Sequence, residues 1–190
     1  MANYIVVSPS QSTSGGNSGD LYYVNSAAVS GATIVGGTGA DTIEMLEGGV
    51  AGSAASLDLK GGADTYEFSA ITLSSTVGAG AGGDTVTFSG ANTISTFNLG
   101  AGSDRLEISG GILTVLGGST IAGGAGGDII SGNGGGQNAV FSGASVLMGA
   151  GADTITLSAT LNSATFVGIE SSIVNRKASM RDIDRNLLPV

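Results

Sequence analysis

Six aspartates, each preceded by glycines and followed by apolar residues at alternate positions, are the residues of this chain whose types and spacing could do chemistry. They are Asp41, Asp64, Asp84, Asp104, Asp128 and Asp153, in the phrases GGTGADTIEM, GGADTYEF, GAGGDTVTF, GAGSDRLEI, GGAGGDIIS and GAGADTITL. Glycine permits a positive-φ turn and leaves backbone carbonyls bare. A carboxylate beside such carbonyls makes an oxygen-only donor set, the kind a hard cation takes. If the turns stack, like charges about 5 Å apart repel by roughly 0.8 kcal/mol per pair in water and about 3 kcal/mol at an effective dielectric near 20. A cation between turns would cancel that field. The plainer alternative is that each carboxylate accepts backbone amide hydrogens of its own turn and binds nothing.

Stacking is what the spacing predicts. The aspartates recur every 20 to 25 residues, the period of a solenoid. Two residues after each stand Ile43, Tyr66, Val86, Leu106, Ile130 and Ile155; seven before stand Ile34, Leu57, Val77, Phe97, Ile121 and Val146. Four after come Met45, Phe68, Phe88, Ile108 and Leu157, with Gly132 the exception. The column three after is polar throughout: Glu44, Glu67, Thr87, Glu107, Ser131 and Thr156. Alternation of this kind reads as strands buried on one face. Two short strands in 20-odd residues cannot bury that face alone, but coils stacked about 4.8 Å apart can. The expected fold is all-β, a right-handed parallel β-solenoid of about six or seven coils, with a short C-terminal capping or anchoring tail.

Along the chain, residues 1–20 read as an N-terminal strand followed by a polar arm, SPSQSTSGGNSGD. Residues 21–175 are the solenoid, with the stretch from Ser131 to Ser145 as an insertion that breaks its pattern. Residues 176–190 form a basic tail. Thirteen acids and two bases give residues 1–175 a net charge of −11, whereas two acids and four bases (Arg176, Lys177, Arg181, Arg185) give the tail +2. Ser179 and Asp182 could start a short helix with Met180, Ile183 and Leu187 on one face.

Composition narrows the class. Glycine is 35 of 190 residues without a triplet period, and there are two prolines, so the chain is not collagen-like. A 41 % hydrophobic share in ordered columns does not suit disorder. There is no cysteine or histidine, and the net charge of −9 argues against nucleic acid as a partner. No stretch is long and apolar enough for a membrane span, and MANYIVVSPS lacks the basic start of a conventional signal peptide.

The aspartate phrases resemble the calcium-binding nonapeptide GGxGxDxUx of RTX proteins, whose parallel β-roll turns hold the ion. GGTGADTIE and GAGADTITL match it closely, GAGGDTVTF and GAGSDRLEI less so, and GGADTYEF has a shortened lead into Asp64. The resemblance covers the turns on one side of a longer coil. It implies calcium as a bound ion, with Asp41, Asp64, Asp84, Asp104, Asp128 and Asp153 as metal ligands.

The expected function is a non-enzymatic structural or assembly role: a calcium-stiffened solenoid on the outer surface of a particle, a phage virion decoration or appendage component. It would self-assemble or join other structural subunits through its termini, with no membrane insertion. The alternative is a bacterial surface-layer or RTX-type secreted protein at the cell surface. Two further classes have a sequence feature each. Glu44 and Glu67 on neighbouring coils could stand at a retaining glycosidase's separation. Thr42, Thr65, Thr85 and Thr154 could form an ice-binding file, interrupted by Arg105 and Ile129.

Overall fold

A computed structural model describes residues 4–6, 11–24, 31–45, 51–69, 72–89, 92–110, 112–132, 139–168 and 171–176. Among them are eighteen strands, every one paired in parallel with strands one coil away. The chain is an all-β parallel solenoid. No helix among the described residues is long and apolar enough to cross a membrane.

Register follows the sequence columns. After the aspartates, Tyr22 lies on Ile43, then Tyr66, Val86, Leu106, Ile130 and Ile155. Before them, Ile34 lies on Leu57, then Val77, Phe97, Ile121 and Val146. All of these side chains are buried. A one-residue slip would turn a whole column to solvent, so the alternation itself fixes the pairing. Midway along, the core is aromatic: Phe68 stacks on Phe88 with centroids 5.2 Å apart, and Phe97 meets Phe88 edge-on at 6.0 Å. Such pairs contribute about 0.5–1.5 kcal/mol beyond the area they bury.

The coils differ from the sequence expectation in having three sides. Thr72 pairs with Thr93, Thr93 with Thr114, Thr114 with Val140 and Val140 with Thr160, a third row of strands between the other two. Its inward residues include Leu113, Val115, Ala139 and Phe141. Ala139–Ser142, within the stretch expected to break the pattern, is one of these strands and pairs on both sides. A coil of 20 to 25 residues is too long for two short strands and a pair of tight turns, and the third strand satisfies the extra backbone.

The solenoid also begins earlier than expected. Ser12–Ser14 is a strand paired with Thr33–Val35, and Gly15 to Asp20 form a further aspartate turn. At the other end Ser171–Arg176 pairs with Thr154–Asn162. The tail helix expected around Ser179 and Asp182 lies outside the described residues.

Candidate functional site

The structure brings all six predicted aspartates into one file and adds a seventh, Asp20. Each is at most 2 % exposed. They point inward at the corner between the strand that enters the turn and the strand that leaves it. Two positions make the corner possible. The residue two before the aspartate is Gly62, Gly82, Gly102, Gly126 or Gly151, with φ between 136° and 144°. A Cβ at Gly82 would stand 1.6 Å from the carbonyl oxygen of Gly62 one coil away. Four before the aspartate, Gly80, Gly100, Gly124 and Gly149 also have positive φ, and Lys60 takes the same place at φ 75°. The turn into Asp64 is therefore not shortened. Lys60 occupies the glycine position there, at the strain a left-handed lysine carries.

Each aspartate couples its coil to a neighbour. The backbone N–H of Asp20 donates to Oδ1 of Asp41 at 2.7 Å, and Asp41 N–H to Asp64 Oδ1 at 2.7 Å. Asp64 donates to Asp84 and Asp84 to Asp104, both at 2.8 Å. Asp104 donates to Asp128 at 3.0 Å and Asp128 to Asp153 at 2.9 Å. The adjoining amide runs the opposite way, as Thr65 N–H donates to the Asp41 carbonyl and Thr85 N–H to the Asp64 carbonyl. At this corner the carboxylate stands in for the main-chain acceptor that a continuous strand would offer. Aspartate is long enough to reach across one coil spacing and short enough to stay in the corner. A hydrogen bond to a charged acceptor contributes about 1.5–3 kcal/mol.

The second carboxylate oxygen divides the file. In the first two turns Oδ2 accepts the amide four residues back: Gly16 N–H to Asp20 and Gly37 N–H to Asp41, each at 3.0 Å. In the next four turns that position has positive φ, and Oδ2 of Asp64, Asp84, Asp104 and Asp128 is buried with no hydrogen-bond partner among the described residues. Burial pushes these carboxyls up. Asp64 rises to about 7, mainly from desolvation and then from the charges of Asp84 and Asp41, while the Asp41 amide pulls the other way. Asp104 rises to about 6, and Asp84 and Asp128 rise too, all with burial as the leading cause. Tyr22, packed beside the file, is pushed up to about 12 by burial and by Asp41, Asp20 and Asp64. The Tyr66 hydroxyl accepts the Leu59 amide hydrogen and donates to the Gly78 carbonyl.

The calcium expectation concerns these same oxygens. The donors are right in kind. A Cβ on Gly123 would lie 2.6 Å from Asp128 Oδ2 and 2.4 Å from the Met148 carbonyl oxygen, so two oxygens face the cradle that glycine leaves. No group of three acidic side chains that could hold an ion occurs among the described residues. One oxygen of each carboxylate is already given to an amide. The residues present form a hydrogen-bonding ladder along the file.

Other predicted positions are placed as follows. Glu44 and Glu67 are partners on adjacent coils, facing outward. Thr42, Thr65 and Thr85 stack outward in register, continued by Arg105, Ile129 and Thr154. Sequence reasoning missed Asp20, whose Tyr22 and Val24 carried the signal but whose preceding column holds Thr13 instead of an apolar residue. It also missed an outward file eight residues before the aspartates: Ser12, Thr33, Ser56, Thr76, Thr96, Thr120 and Ser145, followed by Thr165. Every member bears a hydroxyl. No family model, no curated protein and no solved structure matches the chain.

Proposed function

We propose that the chain is a non-enzymatic structural rod, a decoration or appendage component on the outer surface of a virion. The observation that supports this best is the unbroken run of six amide-to-carboxylate bonds from Asp20 to Asp153. It braces each of these coils against the next at the aspartate corner, where one strand ends and the next begins. Stiffness distributed evenly along an axis serves a spacer or a coat. A body of net charge −11 with a terminal segment of +2 suits end-on attachment in a larger assembly. The likeness of GGTGADTIE and GAGADTITL to RTX nonapeptides favours a second reading, a bacterial surface-layer or secreted surface protein.

Immunogold labelling of purified virions and of cell envelopes separates the two. Label on virions, lost when residues 176–190 are deleted from an otherwise folded chain, is the expected result. Label confined to envelopes supports the second reading, and label on neither overturns both.

A further inference from the structure

No further inference is drawn: the strongest candidate, the line of buried Oδ2 atoms of Asp64, Asp84, Asp104 and Asp128 at the aspartate corner, which find no hydrogen-bond partner among the described residues, belongs to the site already described.

Discussion

Replacing Asp64 by asparagine should stabilise the protein at neutral and alkaline pH and do little in acid. In the folded chain Asp64 Oδ1 accepts the Asp41 amide, while Oδ2 is buried and unpartnered. The groups that face it are Asp41 and Asp84 in the file and the hydroxyls of Tyr22 and Tyr66, none of them a cation. Its carboxyl titrates at about 7 against an ordinary 3.8. The folded state thus holds its proton where the unfolded chain has released it, so stability is greatest in acid and falls as pH rises from about 4 to about 7. A shift of roughly 3 units at 1.36 kcal/mol each sets a ceiling of about 4 kcal/mol. Measured costs of one buried unsatisfied group are about 1–3 kcal/mol, which is the better guide. Asparagine keeps Oδ1 for the Asp41 amide and removes the charge. At pH 8, in calcium-free buffer, Asp64→Asn should melt several degrees above wild type, at about 2–4 °C per kcal/mol for a chain of this size. At pH 4 the two should nearly coincide. The assay is far-UV circular dichroism across a pH series. A variant less stable than wild type at pH 8, or a wild type whose stability does not decline between pH 4 and 7, refutes the reasoning.

Two further perturbations address the same corner. Chelation with EGTA should leave the melting curve unchanged, since Oδ1 along the file already accepts backbone amides that brace the coils; a drop of more than a few degrees, reversed by added calcium, would show that an ion braces the corner instead. Gly82→Ala should destabilise by several kcal/mol or prevent folding, because it puts a Cβ at φ 144° and 1.6 Å from a stacked carbonyl; a soluble variant with a wild-type melt would show that the stacking drawn here is wrong.

The columns of the core were legible because they depend on period alone. Val86, Leu106 and their counterparts two after each aspartate could be listed from the sequence, and the register of the strands then followed. The side chain of the aspartate was harder to place. A carboxylate after glycines reads equally as an ion ligand or an amide acceptor, and what decides is where the neighbouring coil's N–H points. That depends on φ four residues upstream, positive at Gly80 and Gly100 but not at Gly37, and glycine as a residue type is silent on its sign. Polar segments misled for a related reason. Ser12–Ser14 lacks an apolar column of its own and is a strand because Thr33–Val35 lies beside it.

What varies between coils shows what the coil cannot change. From seven residues before each aspartate to four after, no residue is inserted or lost in any repeat from Ile34 to Leu157, although the aspartates themselves are 20 to 25 residues apart. All the difference in length falls on the third side, where Leu113–Ala125 carries Gly117 and Gly118 between its two paired segments and where residues 133–138 intervene before Ala139. A carboxylate that must meet an amide one coil away at 2.7–3.0 Å tolerates no slip, because one residue of shift moves it by about 3.3 Å and to the opposite face. The aspartate corner is therefore the seam that sets register for the whole rod. The outward faces on either side inherit that register without being constrained by it.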